Sequence, residues 1–234
     1  MIKGIYTAAR GLDVRMKNLE VVANNLANLN TTGFKKELPF SEIMNQYGQT
    51  QVQQVTDFKQ GNLTQTNNPL DLAISGKGFF VVQTDNGTQL TRNGSFKISN
   101  DGYLTDQQGN KVLGQSGFIK FDMLSFEKQK TITISKDGEV KYGNQPIDTL
   151  MIAKMDDQQD TTRTSGVDFS PNGGYQTANL SDYQVKQGYL EDSNVNPVNE
   201  MESMIQINNE YQSASKMITF LDKSLDEANQ IGKV

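Results

Sequence analysis

Asp156, Asp157 and Asp160 are the side chains whose spacing first suggests chemistry. Clustered carboxylates can divide into a general acid and a general base when their surroundings push their pKa values apart. The three aspartates sit in a polar stretch with Gln158, Gln159, Thr161 and Thr162. A solvated loop is the simpler reading. Asp101-Gly102 and Asp137-Gly138 could suggest calcium. They lack the alternating Asp/Asn ligands and the closing Glu of an EF-hand loop, and hairpin turns account for them. Gly76-Lys77-Gly78 has the look of a phosphate loop without its Lys-Ser/Thr ending, so it reads as a turn between strands. Ser75 has no histidine to activate it. Three triplets, beginning at Asn62, Asn86 and Asn93, match glycosylation acceptors, as chance allows in an Asn-rich chain.

The chain has no Cys and no His. This removes thiol nucleophiles, disulfides, the usual zinc ligands and imidazole acid–base chemistry together. No cofactor and no metal site is expected. A catalyst would have to rely on carboxylates, Lys, Ser or Tyr, and no arrangement of these recommends an enzyme. The net charge of −5 and pI near 4.9 argue against a nucleic-acid partner. A hydrophobic fraction of 35% and a mean hydropathy of −0.59 over 234 residues point to an elongated, surface-rich molecule. No run approaches the ~20 apolar residues of a membrane span, so no membrane insertion is expected. Lys3, Arg10, Asp13, Arg15 and Lys17 interrupt the N-terminus, which does not read as a secretory signal. If the protein is exported, the expected route cleaves no such signal.

Two stretches must position whatever the chain does. From Met204, alternating steps of three and four reach Ile207, Tyr211, Ala214, Ile218, Leu221, Leu225 and Ala228. From Ile5, steps of four and three reach Ala9, Leu12, Met16, Leu19, Ala23 and Leu26. Both are heptad seams with polar residues between. They predict long terminal helices that pair with one another as a coiled coil. Asn196 is placed as an N-cap before Pro197, and Gly33 as a stop for the first helix. An apolar stripe is usually the core-facing side of a helix, but Val22, Ile205 and Met217 lie off these seams and could contact other subunits.

Between the helices the pattern is that of strands. Phe79-Phe80-Val81-Val82 reads as a buried strand, and turns recur at Asn86-Gly87, Asn93-Gly94, Asp101-Gly102 and Gly109-Asn110. Ile98-Ser-Asn-Asp-Gly-Tyr-Leu104 is echoed by Ile134-Ser-Lys-Asp-Gly-Glu-Val140, which predicts two similar hairpins. A further strand is expected at Leu150–Ala153, a polar loop from Asp156 to Gly174, and a returning strand from Tyr183 to Leu190. The fold class is therefore α+β, with a central all-β domain of hairpins. The expected domains are an N-terminal helix over 1–33, an extended linker over 34–66, the β domain over 67–190 and the C-terminal helix over 191–234.

Ala23-Asn-Asn-Leu-Ala-Asn-Leu-Asn-Thr-Thr-Gly-Phe-Lys35 closely resembles the N-terminal signature of bacterial flagellar rod and hook proteins. The residues that carry it are Asn24, Asn25, Ala27, Asn28, Asn30, Thr31, Gly33 and Phe34. The likeness continues through Pro69–Val82, Leu90–Phe96 and Asp101–Leu104, and ends with Ser193-Asn-Val-Asn-Pro-Val198. It implies a structural subunit of the basal-body rod, exported by the flagellar type III apparatus without a cleaved signal. Its partners would be copies of itself and other rod and hook subunits. It implies axial assembly through the terminal helices, with Ile5, Leu12, Leu19, Leu26, Met204, Tyr211, Ile218, Leu221 and Leu225 as the contact residues. The short segment from Phe40 to Gln60 and the sequence after Pro197 favour a proximal-rod over a distal-rod or hook-type member. Two readings from other classes compete: an adhesive or ligand-binding β module, and a carboxylate hydrolase acting on peptidoglycan.

Overall fold

The protein is described by a computed structural model covering residues 2–39, 43–44, 50–51, 54–122, 131–155, 161–171 and 174–231. The carboxylates of Asp156, Asp157 and Asp160 lie outside the described residues. The chain divides into two compact units. One comprises Met1–Leu29, Glu37–Asp57 and Val195–Val234; the other comprises Asn30–Lys36 and Phe58–Asn194.

The first unit holds two helices, α1 (Ile2–Ala27) and α2 (Pro197–Ile231). The 35 residues of α2 span about 50 Å at 1.5 Å per residue. It starts where the sequence indicates: the Asn196 side-chain oxygen accepts from the amides of Val198, at 3.0 Å, and Asn199, at 3.3 Å. The helices run antiparallel. Asn25 hydrogen-bonds Glu200 at 3.1 Å, and Arg15 meets Glu210 at 3.3 Å. In the same unit, Glu37–Pro39 pairs with Gln54–Thr56.

The expected coiled coil is not formed. Its two rows of a/d residues would both face the partner helix. Among the described seam residues of α1, Leu12, Leu19 and Leu26 are half-covered, whereas Ala9 and Ala23 are exposed and Met16 is 49% exposed. The residues that α1 buries are Val21, Val22 and Asn25, with Val14, Arg15 and Asn18 half-buried beside them. At 100° per residue, this covered face is turned by more than a third of a turn from the seam. The cause is polar: Asn25 must point inward to bond Glu37 and Glu200, and this sets the rotation of the helix. Gly33 is likewise not the helix stop. The helix ends at Ala27, where Asn28 turns back to Asn24 through both backbone and side chain.

The second unit is built on an antiparallel sheet. Its strands run in the order Thr161–Ser165, Asp168–Pro171, Gly87–Thr91, Phe79–Thr84, Lys111–Val112, Leu104–Thr105 and Lys97–Ile98. Ile152–Lys154 adds to the Phe79–Thr84 strand beside Lys111–Val112. All four residues of Phe79–Val82 are buried because both sides of the strand are covered. Phe80 and Val82 enter a core with Leu72, Ile74, Phe96 and Leu104. Phe79 and Val81, on the alternate side, pack with Leu90, Met155 and Phe169. The stretch expected to be a polar loop before Gly174 instead carries the hairpin Thr161–Ser165/Asp168–Pro171. Its one large apolar residue in register, Phe169, gave too little alternation to read as a strand.

The repeated heptapeptide forms two copies of one turn. Ser99 N donates to Tyr103 O, Gly102 N to Ser99 O, and Tyr103 N to Ser99 Oγ. Ser135, Gly138 and Glu139 repeat all three bonds. Gly102 and Gly138 have φ of 85° and 87°, which a glycine adopts without strain.

Candidate functional site

The signature residues fall into two groups, one in each unit. In the first unit, Asn25 is fully buried. Its Nδ2 donates to Glu37 O at 2.8 Å, and its Oδ1 accepts from Glu37 N at 2.9 Å. The side-chain amide thus pairs with Glu37 as a neighbouring strand would. Asn24 and Asn28 close the end of the helix, while Ala27 is exposed.

In the second unit, Asn30–Lys36 crosses two later passes of the chain, Lys59–Gly61 and Glu191–Asn194. Gly33 N donates to Glu191 O at 2.7 Å, and Lys36 N to Asn194 Oδ1 at 2.7 Å. Asn194 Nδ2 reaches Lys59 O at 3.0 Å. Gly33 has φ of 70°, and a Cβ there would sit 2.4 Å from Asn93 N. Only glycine fits this turn. Asn30 is exposed, and Thr31 accepts from the Phe34 amide.

Glu191 is the centre of the crossing. Its carboxylate accepts from Lys35 Nζ at 2.5 Å, from Gly61 N at 3.0 Å and from Arg92 Nη1 at 3.1 Å. The Glu191 and Lys35 side chains are both 0% exposed. Lys35 Nζ also donates to Lys59 O at 2.7 Å. Arg92 donates to the carbonyls of Ile74 and Gly76 and lies 5.0 Å over the Phe79 ring. Burial lowers the Arg92 pKa from its ordinary value, and the charge and hydrogen bond of Glu191 oppose that shift. Sequence reading placed Phe34 in the signature but missed Lys35, Arg92 and Glu191 as a group. Their charge gave no sign of burial, because Lys, Arg and Glu are seldom buried unless paired.

Elsewhere in this unit, burial raises the Asp168 carboxyl, a hydrogen bond with Thr91 opposes the shift, and the Asp106 charge adds to it. Tyr183 is raised by burial and, less, by Asp137. Gly76-Lys77-Gly78 is a turn between strands, with Lys77 N donating to Asp182 O. Among the described residues, no group of three or more acidic side chains could hold a metal ion.

The seam residues lie on both helices of the first unit. Met204, Ile207, Ala214, Ile218 and Leu221 are half-buried, and Tyr211 is 38% exposed. They share the side of α2 that carries Glu200 and Glu210 toward α1. The opposite side of α2 also carries apolar residues, with exposed Asn209, Gln212 and Lys216 among them. Val198, Met201, Ile205 and Phe220 are exposed there, with Met217 at its flank. Val198, Met201 and Ile205 line a groove of about 650 Å³. Among the described residues of α1, Tyr6 and Met16 are the large exposed apolar ones. Ile5 and Leu225 belong to α1 and α2, and their side chains lie outside the described ones.

Residues 5–35 match the model of the flagella basal body rod protein family. Residues 73–142 match the flagellar hook protein FlgE/F/G D1 domain, and residues 186–231 the C-terminal model of flagellar basal body rod FlgEFG proteins. The flagellar basal-body rod protein FlgF of Caulobacter vibrioides is 32% identical, over 93% of this chain and 93% of its own length. This chain belongs to the flagellar basal-body rod protein family. Two further relatives of the rod family are FlgF of Mesorhizobium japonicum, 28% identical over 97% of each chain, and FlgG of Borreliella burgdorferi, 31% identical over 99% of each. The rod-family matches include both crossing segments, Gly33–Lys35 and Glu191–Asn194.

Proposed function

We propose that this chain is a structural, non-catalytic subunit of the flagellar basal-body rod and that it polymerises axially through its terminal helices. The observation that carries the reading is the second apolar face of α2. Val198, Met201 and Ile205 lie on the side of the helix away from Glu200 and are exposed together over about 10 Å at 1.5 Å per residue, with Phe220 exposed farther along the same side. Water-exposed apolar surface of this extent marks an association face. A contact between such a face and a different surface of the next copy repeats without closing and generates a helical array. Tyr6 and Met16 on α1 offer a complementary apolar surface. The partners in this reading are copies of the chain and other rod and hook subunits, and its route to the rod is the flagellar type III export apparatus.

Within the rod we propose the proximal position. The FlgF relatives align with this chain over 236 and 237 positions, close to its 234 residues. The FlgG relatives need 267 and 269, so more than thirty positions in those alignments have no counterpart here. The test is mass spectrometry of purified hook–basal bodies, with antibody labelling of the chain under the electron microscope. Label on the rod next to the export apparatus is the expected result. Label only near the hook would overturn the proximal position, and basal bodies lacking the chain would overturn the rod assignment.

A further inference from the structure

The crossing in the second unit is held from a direction that the signature residues do not reveal. Arg163, in the hairpin Thr161–Pro171, places its guanidinium 4.5 Å from the Phe34 ring and 5.0 Å from the Phe169 ring. Its Nη2 donates to the carbonyl of Lys35, and its Nη1 to Gly166 O at 2.5 Å. Phe169 packs on Phe79 with ring centroids 6.1 Å apart, and Arg92 lies over Phe79. Arg92 then joins Glu191, and Glu191 joins Lys35. The contacts therefore close a circuit: Phe34 and Lys35 are gripped by Arg163 on one side and by Glu191 on the other.

We infer that Arg163 is a positioning residue that locks Phe34 and the Lys35 carbonyl in place, so that the Lys35 ammonium meets Glu191. The hairpin that carries it lies between residues 142 and 186, outside all three regions matched by family models. The residue that makes the lock thus lies in a part of the chain that the three family models do not cover. Arginine suits the task because its planar group stacks between two rings while its edge donates hydrogen bonds. Lysine keeps the charge but neither stacks in this way nor reaches two carbonyls. The inference concerns the chain itself and holds whatever the chain assembles with.

Amide hydrogen exchange on the full chain, for wild type, R163A and R163K, tests it. The reporters are Gly33 and Lys36, whose amides bond Glu191 O and Asn194 Oδ1. Leu113, whose amide bonds Val81 O in the sheet, is the control. The expected result is exchange about tenfold or more faster at Gly33 and Lys36 in both variants, with Leu113 within about twofold of wild type. Acylation of Lys35 should rise in parallel, because the ammonium leaves its buried site. Unchanged rates at Gly33 and Lys36 would overturn the inference, and so would an equal rise at all three amides, which reports general destabilisation. If R163A does not fold, the same measurements on R163K decide.

Discussion

Glu191 and Lys35 meet at 2.5 Å with both side chains sealed from solvent, although 156 positions separate them in the chain. The pair ties the segment that follows α1 to the segment that precedes α2. Arg92 completes it as a cation–carboxylate–cation triad. Such a group is costly to desolvate, and it is held by geometry, not by net Coulomb gain.

Glu191→Ala leaves two buried cations facing each other. The expected loss is roughly 3–5 kcal/mol in unfolding free energy, measured by urea titration. Combining it with Lys35→Met removes one of those cations, so the double variant should be more stable than Glu191→Ala alone. A double variant that loses the full sum of the single effects would show that the two residues do not interact.

Gly33→Ala asks a Cβ to share space with the backbone of Arg92 and Asn93. The positive φ alone costs about 1–3 kcal/mol, and the backbone clash adds to it. A melting temperature equal to wild type would contradict the turn described here.

Asp168 has its folded pKa raised mainly by burial. The folded protein therefore holds its proton more tightly than the unfolded chain does. The stability this confers is complete below the unfolded value of about 3.8 and is lost as pH rises through the raised folded value. At neutral pH the buried charge is a net cost, so Asp168→Asn should be more stable than wild type there. The advantage should vanish in acid, and thermal melts across pH check both points.

Ile205→Asp and Phe220→Asp place charges on the exposed face of α2. Both variants should retain the near-ultraviolet circular dichroism of the β unit, because neither position belongs to it. Incorporation into rods, scored by immunoblots of purified basal bodies, should be abolished. Full incorporation of either would remove this face from the assembly contact.

Much of the molecule was legible because it is local. The hairpin turn at Gly87, the twin turns beginning at Ser99 and Ser135, and the Asn196 cap each depend on residues within a few positions of one another. The period of apolar residues located both helices, since 3.6-residue spacing is a property of one segment. It did not show which side α1 covers. That rotation follows from Asn25 pairing with Glu37 and Glu200, a polar demand that apolar periodicity does not record. The hairpin around Arg163 was missed because it buries little apolar surface in register. The triad of Lys35, Arg92 and Glu191 was decided only by tertiary structure. Whether a charge is solvated or buried depends on what the rest of the chain brings beside it, and these three residues lie in distant parts of the chain.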